Sequence, residues 1–362
     1  MTINGVDLLV RRDDPRVCEV REVTVDEPRD GQAVLRIQRF AVTANNVTYA
    51  TAGDVLGYWK FFPVDSTWGR VPAWGFAEVV ASRSELLDEG DRLYGFWPMS
   101  SHATIEPTGR KGSRLIDATA HRVPLPPLYN AYLPAGAEDS RREELESLLR
   151  PLFGTAWLIA DSLAQEGFHN AASVLLSSAS SKTAAATAWC LAQYEHRPQI
   201  VGLTSVRNRE FVERLPGYDE TVTYDDLTTA SIATPVVFVD VAGSAAVRES
   251  VHRHCESDLA FSLIVGSTHW ENPGGWSGSA DLPGPTPQMF FAPSQGVKRA
   301  EELGRGEFVR LVSTAQTEYT EVYGKSTEVR LATTPDMVVQ AWIDQVNGNT
   351  DASTGIVATL SG

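Results

Sequence analysis

The chain has 362 residues, of which 43% are hydrophobic and 21% charged, and its formal net charge is −15. This composition is typical of a folded globular protein, and the acidic balance argues against binding to nucleic acid or an anionic membrane, because both need a basic face. No apolar run is long enough to cross a bilayer, and the three cysteines are too few and too scattered for a disulfide framework, so we expect a cytoplasmic protein.

The N-terminal part of the chain alternates apolar and polar residues over short runs. Residues 17–25 and 32–42 form two such runs joined by a DEPRDG turn, and residues 75–82 and 92–99 form two more. Alternation predicts half-buried β-strands, and several short strands with Gly and Pro turns predict a small barrel. Residues 106–147 are polar and rich in proline, and we expect them to form a hinge or a cover over a cleft.

From about residue 150 onward, short apolar runs alternate with helix-forming segments. The runs lie at residues 172–178, 199–205, 235–244, 259–268 and 288–294. This alternation predicts βαβ units and a doubly wound parallel sheet. The chain closes with a helical pattern and a final strand that return to the first domain. We therefore expect one domain formed by residues 1–150 and 310–362, with an α/β domain of residues 151–309 inserted into it.

In a parallel sheet, ligands bind at the carboxyl ends of strands, next to helix N-termini. The first strand of the α/β domain ends in the loop 177–183, which contains no glycine, although dinucleotide loops use glycines to bring the backbone to the pyrophosphate. The loop instead has small residues, serine hydroxyls and Lys182, which could face a phosphate. Taken alone, it indicates either a phosphate site or a solvent-exposed helix cap.

The end of the next strand favours a particular cofactor. Ser205, Arg207 and Asn208 lie where an NAD enzyme would carry an acidic residue for the ribose, and the first carboxylate follows only at Glu210. A cation with hydroxyl and amide groups suits a 2′-phosphate, so NADP(H) is favoured over NAD. The alternative is an ordinary exposed helix N-terminus.

Segments in both domains resemble the medium-chain dehydrogenase/reductase superfamily, especially its zinc-independent quinone and enoyl reductases. The resemblance rests on residues 40–46, 71–80 and 88–95, on the strand ends described above, and on the closing residues 353–357. The combination of residues 43–49 with residues 58–63 resembles the uncharacterised DUF2855 subgroup. The resemblance implies a GroES-like β-barrel catalytic domain and a Rossmann nucleotide-binding domain.

Matched position by position, the resemblance also implies a set of NADP(H)-binding residues. These are Ser178, Ser180, Ser181, Lys182 and Thr183 at the pyrophosphate; Ser205, Arg207 and Asn208 at the adenosine phosphate; Tyr224 near the adenosine; Ala242 and Gly243 after the fourth strand; and Gly266, Ser267, Phe291 and Pro293 near the nicotinamide end. The loop without glycine departs from the family pattern.

The residues predict no metal site. Pro72-Ala73-Trp74 stands where the zinc enzymes of the superfamily have Gly-His-Glu, and the chain has no four-cysteine lobe. His252, His254 and Cys255 lie one and two positions apart, so they point in different directions on a helix.

Without zinc, the acceptor must be polarised by hydrogen bonds and protonated by a side chain or water. The candidates are Asn46, Tyr49, Tyr58 and Lys60, although each tyrosine could instead be a packed aromatic with a satisfied hydroxyl. Trp59, Trp74 and Trp270 are candidates for the wall of a pocket for a flat or apolar substrate. Trp270 belongs to a loop at residues 269–276 that is typical of a lid or a subunit contact, and we expect a homodimer.

These observations predict an NADPH-dependent, zinc-independent oxidoreductase that reduces a conjugated carbonyl or a quinone-like apolar substrate. Two alternatives stay open, because a fold does not fix a function. One is a carbonyl/alcohol oxidoreductase on the same fold. The other is a lyase, hydrolase or binding protein that kept the fold without the redox reaction.

Overall fold

A computed structural model of the protein describes residues 3–265 and 282–361. The chain forms two compact units, one comprising Met1–Leu148 with Glu328–Gly362 and the other comprising Leu149–Thr327. The sequence-based boundary at 309/310 falls inside the second unit. The residues that follow it belong to a helix whose Tyr319 packs against Phe153 and Trp189 of the same unit, with ring centroids 5.5 and 5.4 Å away.

Most of the regular secondary structure in the first unit is β-strand. Its strands are β1 (Ile3–Arg11), β2 (Cys18–Val25), β3 (Ala33–Val42), β4 (Trp68–Arg70), β5 (Pro72–Ser82), β6 (Arg92–Pro98), β7 (His102–Ile105), β8 (Pro107–Gly109), β9 (Leu115–Asp117), β10 (Ala131–Ala135), β17 (Glu328–Ala332) and β18 (Thr354–Ala358). They form a three-stranded sheet in the order β2-β1-β4 and a nine-stranded sheet that runs β17-β18-β3-β5-β6-β10-β9-β8, with β7 on β3. Two helices accompany them, α1 (Ala44–Thr51) and α8 (Pro335–Val346).

The segment 106–147 differs from the expected hinge or cover. It contributes β8, β9 and β10 to the nine-stranded sheet, where β10 pairs antiparallel with β6. These strands have only three to five residues each. Runs this short are too brief to show alternation in the sequence, which is why the prediction missed them.

The second unit contains a parallel sheet of six strands. They are β11 (Ser173–Ser177), β12 (Gln199–Thr204), β13 (Glu220–Thr223), β14 (Val236–Asp240), β15 (Leu259–Ile264) and β16 (Gln288–Met289). Their order is β13-β12-β11-β14-β15-β16, which is the 3-2-1-4-5-6 order of the Rossmann fold. The helices are α3 (Lys182–Ala192), α4 (Arg209–Arg214), α5 (Ala245–Cys255), α6 (Ala292–Leu303) and α7 (Arg305–Tyr323), and α2 (Ser140–Gln165) contains the boundary between the units.

The sequence of the central strands explains their position. All five residues of β11 are buried, as expected for a parallel strand covered on both faces. At Gly202 in β12, a Cβ atom would lie 3.0 Å from the Ala179 Cβ and 2.9 Å from the Tyr218 ring. Glycine at this position therefore lets the loop after β11 approach the neighbouring strand. The predicted α/β class, with a strand-rich unit and a Rossmann sheet, is confirmed; the strand-rich unit needs no closed barrel.

None of the helices in the described part of the chain is both long and apolar enough to cross a membrane.

Candidate functional site

The loop after β11 makes its turn without glycine. Ser178 adopts a left-handed backbone conformation, with φ of 53°, which usually costs a residue with a side chain about 1–3 kcal/mol. Local hydrogen bonds hold this conformation: the Ser178 N–H donates to the Tyr224 hydroxyl at 2.9 Å, and its carbonyl accepts from the Ser181 N–H at 2.7 Å. The serine therefore occupies a conformation that favours glycine.

The same loop is fixed to the neighbouring strand ends by side chains. The Asn208 amide donates to the Ser180 hydroxyl at 2.9 Å, and the Tyr218 hydroxyl donates to the Ala179 carbonyl at the same distance. Burial raises the pKa of Tyr224, whose hydroxyl remains neutral and accepts the Ser178 N–H. The structure thus brings together four predicted residues, Ser178 and Ser180 from the loop after β11, Asn208 from the loop after β12 and Tyr224 from the loop after β13.

A buried polar network supports the turn after β14. The Ser177 hydroxyl donates to Asp240 at 2.9 Å and accepts from the N–H groups of Val241 and Ala242, both at 2.9 Å. The Asp240 carboxylate also accepts from the Gly243 N–H and from Arg248, each at 3.0 Å. This network holds the predicted residues Ala242 and Gly243 at the carboxyl end of the sheet.

Asp240 itself is fully buried, and its hydrogen bonds partly offset the effect of burial on its pKa. Burial raises the pKa of the carboxyl group, while the hydroxyl of Ser177, the Gly243 N–H and the Arg248 guanidinium oppose the rise. Ser177 and Asp240 were not predicted as site residues. In a sequence, a buried serine at a strand end cannot be distinguished from any other small residue.

Positive groups without carboxylate partners lie at the start of α3 and after β12. Lys182, the first residue of α3, is half-buried, and burial lowers its pKa to about 8. Within the described residues, neither Lys182 nor Arg207 forms an ion pair, and the N–H groups of Lys182 and Thr183 donate to no group. By contrast, Arg209 pairs with Glu213 at 2.9 Å.

These features fit a dinucleotide phosphate. Free helix N-terminal N–H groups favour an anion, and two unpaired cations can neutralise it. The exposed Arg207 side chain follows the end of β12, where the ribose phosphate of NADP would be recognised.

The structure does not place the other predicted cofactor residues beside these cations and free N–H groups. Phe291 is 63% exposed and precedes α6, and Pro293 lies in the first turn of that helix. Gly266, Ser267 and Trp270 lie outside the described residues.

In the first unit, an aromatic cluster surrounds three tyrosine hydroxyls. The Tyr49 and Tyr58 rings lie 4.5 Å apart, and the Tyr58 hydroxyl is 3.2 Å from that of Tyr129. Trp74 packs against this group with its ring 6.0 Å from that of Tyr129 and 4.9 Å from that of Phe96. The sequence-predicted residues Tyr49, Tyr58 and Trp74 therefore lie together, and Tyr129 is an unpredicted fourth member.

Tyr49 and Tyr58 are hydrogen-bond donors that resist ionisation. Burial, with a smaller effect of Tyr129, raises the pKa of Tyr49 well above its ordinary value, and the same two causes raise the pKa of Tyr58. The Trp74 indole and Asn45 lie near the Tyr49 hydroxyl and lower its pKa slightly, although Trp74 Nε1 makes no hydrogen bond of normal geometry. At neutral pH, both hydroxyls keep their protons.

The other predicted residues of this segment have different surroundings. The Asn46 side chain is buried, accepts from Thr43 and donates to the Pro72 carbonyl at 2.8 Å, so it caps α1. Lys60 is exposed, at the end of a short 3-10 turn. None of these contacts joins Asn46 or Lys60 to the tyrosine hydroxyls.

Trp59, predicted to line the pocket, packs against two glycines instead. A Cβ atom at Gly53 or Gly69 would lie 2.3 Å from its indole ring, and the side chain is 5% exposed. This close packing depends on contacts across the fold that the sequence does not display.

Among residues 3–265 and 282–361, no three His, Cys, Asp or Glu side chains are grouped so that they could hold a metal ion.

A comparison with known protein families shows which family this chain belongs to. A family model described as "Protein of unknown function (DUF2855)" matches residues 40–351. The chain belongs to the DUF2855 family. No curated protein matches its sequence.

Solved structures share the fold of this DUF2855 protein. CurA from Vibrio vulnificus in complex with NADPH aligns with a TM-score of 0.62 at 10% identity, over 99% of both chains. A putative NADPH:quinone reductase from Mesorhizobium loti gives 0.63 at 13% identity, and a mutant enoyl thioester reductase from Candida tropicalis gives 0.57 at 10%, each over 99% of this chain and 100% of the other. At these identities the similarity shows that this chain shares the fold of these structures.

The Ser177 network predicts a measurable effect on stability. Replacing Ser177 with Ala removes the acceptor of the buried Val241 N–H and the hydroxyl that donates to Asp240, so we expect the free energy of unfolding to fall by about 1–3 kcal/mol. Urea denaturation followed by circular dichroism measures the change. Ser250→Ala is the control, because its exposed hydroxyl only donates to the Ala246 carbonyl in the same helix. Equal losses in the two variants would contradict the role of the network.

Proposed function

We propose that this DUF2855 protein is an NADPH-dependent, zinc-independent oxidoreductase that reduces a conjugated carbonyl or a quinone-like apolar substrate. The observation that carries the proposal is the pair of unpaired cations, Lys182 and Arg207, at the carboxyl end of a sheet in Rossmann order. The similar folds of a CurA crystallised with NADPH and of a putative NADPH:quinone reductase support it.

In this proposal, the second unit is the nucleotide-binding domain. Lys182 and the free N–H groups at the start of α3 hold the pyrophosphate, and Ser180 is fixed beside it by Asn208. Arg207, with Ser205, binds the 2′-phosphate. Tyr224 supports the loop by accepting the Ser178 N–H. The proposed roles of Phe291, Pro293, Gly266 and Ser267 near the nicotinamide remain predictions.

The first unit is the proposed catalytic domain. The hydride would come from NADPH when it is bound. Tyr58 donates a hydrogen bond to the acceptor oxygen, and Tyr58, the neighbouring Tyr49 or a water molecule supplies the proton. Phe96 and Trp74 provide flat apolar walls that exclude water and suit a planar substrate.

The proposal assigns no metal to the reaction. Trp74 stands where a zinc enzyme of the superfamily would carry a carboxylate, and its ring packs on Phe96 and Tyr94, 4.9 and 5.7 Å away. Such an apolar setting does not favour a cation. A cytoplasmic location is also part of the proposal, supported by three unpaired cysteines at positions 18, 190 and 255.

We further propose a homodimer. Among residues 3–265 and 282–361, strand β16 is the outermost strand of the six-stranded sheet, and the chain around it exposes apolar side chains, with Met289 at 45% and Phe291 at 63% exposure. An unpaired edge with apolar neighbours favours pairing with a second copy. Light scattering would then give twice the mass of the chain at micromolar concentration, and the mass of a single chain would contradict the proposal.

Cofactor selectivity tests the proposed 2′-phosphate contact. We expect the purified protein to bind NADPH more tightly than NADH, and Arg207→Ala to weaken NADPH binding by about tenfold or more, because a charge-assisted hydrogen bond is lost. NADH binding should change little. Titrations of reduced-nicotinamide fluorescence measure both dissociation constants.

Arg209→Ala is the matched control, because Arg209 is also an exposed arginine and lies only two residues away but pairs with Glu213. It should leave the preference for NADPH unchanged. Equal losses for NADPH and NADH in Arg207→Ala would contradict the 2′-phosphate contact. If neither nucleotide binds, the whole redox proposal fails.

The low pKa of Lys182 predicts how NADPH binding depends on pH. Below about pH 8 the free protein already carries the charged ammonium, so binding needs no proton at this group. Above that pH the ammonium must be regained, because the phosphates favour the charged form, and the dissociation constant should rise by up to about tenfold per pH unit.

Titrations between about pH 7 and 9.5 measure this slope. The Lys182→Met variant should bind NADPH more weakly at pH 7 and lose most of the rise above pH 8. A wild-type dissociation constant that stays constant across this range would show that Lys182 does not meet a phosphate.

A further inference from the structure

Tyr58 and Tyr129 form a pair of hydroxyls that face each other in the aromatic cluster. Their oxygens lie 3.2 Å apart, and both side chains are half-buried, so the pair is neither sealed in the core nor fully hydrated. Two donors at this separation can both reach one acceptor oxygen at normal hydrogen-bond distances. In the absence of an acceptor, one hydroxyl donates to the other.

A fully buried arginine holds Tyr129 in place. Arg122 is 2% exposed, and it donates to the Tyr129 carbonyl at 2.8 Å and to the Asn130 side chain at 2.9 Å. Its charge is balanced by Asp117, 3.0 Å away and also buried, and the same nitrogen donates to the Tyr132 hydroxyl at 2.7 Å. These bonds fix the chain at Tyr129 and in the residues directly after it.

The same arginine supports the rings next to the pair. Its guanidinium lies over Phe61 and Phe62, 5.5 and 4.8 Å from the ring centroids. Phe61 in turn packs 5.5 Å from the Tyr129 ring and 6.3 Å from the Tyr58 ring. Arg122 therefore contacts the backbone of one tyrosine and a ring that touches both.

Burying an arginine and a carboxylate in this way is costly, and well-packed apolar residues could fill the same space without that cost. A buried ion pair is a weak source of stability, so the geometry points to another use. The rigid, planar guanidinium fixes several groups at once, which an apolar side chain cannot do.

We propose that Tyr129 and Tyr58 together form an oxyanion hole that binds the carbonyl or quinone oxygen of the substrate, and that Arg122 is the positioning residue of this pair. This inference rests on the proposed function only for the identity of the acceptor. When the substrate oxygen enters, the hydrogen bond between the two hydroxyls is replaced by two bonds to that oxygen. Neutral donors fixed in advance stabilise negative charge as it develops there. The substrate is thus an uncharged planar molecule with an accessible oxygen acceptor.

A phenolate probe tests the pair without NADPH or turnover. We use 4-nitrophenolate, a flat oxyanion whose absorbance reports binding, at a pH where the free probe is ionised. The wild-type protein should bind it, and Tyr129→Phe should weaken binding by about tenfold or more, because one bond to a charged oxygen is lost. Tyr58→Phe should have a similar effect.

Tyr94→Phe is the matched control, because Tyr94 belongs to the same cluster and its ring stacks on Trp74 at 5.7 Å. Its hydroxyl lies outside the proposed pair, so probe affinity should stay within about twofold of wild type. No binding by the wild type, or equal losses in Tyr129→Phe and Tyr94→Phe, would overturn the oxyanion hole.

The positioning role of Arg122 is tested by a double-mutant cycle. Arg122→Lys keeps a positive charge for Asp117 but loses the planar fork, so it should weaken probe binding severalfold while the protein stays folded by circular dichroism. In a Tyr129→Phe background it should have little further effect. Equal effects in both backgrounds would show that Arg122 acts independently of Tyr129 and would overturn its positioning role.

The test of the oxyanion hole needs only a folded Tyr129→Phe protein, so its result is valid whether or not Arg122→Lys folds. The outcome is also separable from that of the reductase proposal. Probe binding through the tyrosines in a protein that binds no NADPH would support the oxyanion hole and refute the redox reaction. NADPH binding without probe binding would do the reverse.

Discussion

The hydroxyl of Ser177, the last residue of β11, makes the hydrogen bonds on which the carboxyl end of the six-stranded sheet depends, where the cofactor is proposed to bind. It accepts the N–H groups of Val241 and Ala242 and donates to Asp240, whose other oxygen is bonded to Arg248. A buried N–H without an acceptor is costly, so this one hydroxyl fixes where the turn after β14 can lie. The adjacent loop keeps its shape because Ser178 takes the left-handed conformation and is bonded to Tyr224.

This arrangement explains how a loop without glycine can retain the geometry of a phosphate site. Glycine in such loops supplies a permissive backbone and room for the ligand. Here the hydrogen bonds supply the backbone conformation, and the small side chains of residues 177–181 leave the space. In the proposed function, the cations Lys182 and Arg207 then carry the preference for phosphate. The chemistry proposed for the first unit follows a different principle, in which neutral phenols act as donors and the buried Arg122 is paired with the buried Asp117.

The sequence contained most of the fold and part of the site. Alternating runs predicted the long strands, and the family resemblance implied that Ser178, Asn208 and Tyr224 belong to one nucleotide site. Strands β8 to β10 were missed because they are too short for periodicity, and Tyr129 and Arg122 were missed with them, since a lone arginine in a proline-rich segment carries no signal. Asn46 was assigned to the site from the family resemblance, and Trp59 from the density of aromatic residues in its segment. In the structure Trp59 packs against Gly69 and the Asn46 side chain donates to the Pro72 carbonyl, contacts that the sequence does not show.

A crystal structure with bound NADP⁺ is the most direct test of whether the loop after β11 and Arg207 hold the phosphates of the cofactor. We expect the pyrophosphate to lie at the N–H groups of Lys182 and Thr183, and the 2′-phosphate to lie within hydrogen-bond distance of Arg207. A structure grown at saturating NADP⁺ in which the loop of residues 178–183 holds no phosphate, or in which the 2′-phosphate points away from Arg207, would contradict it.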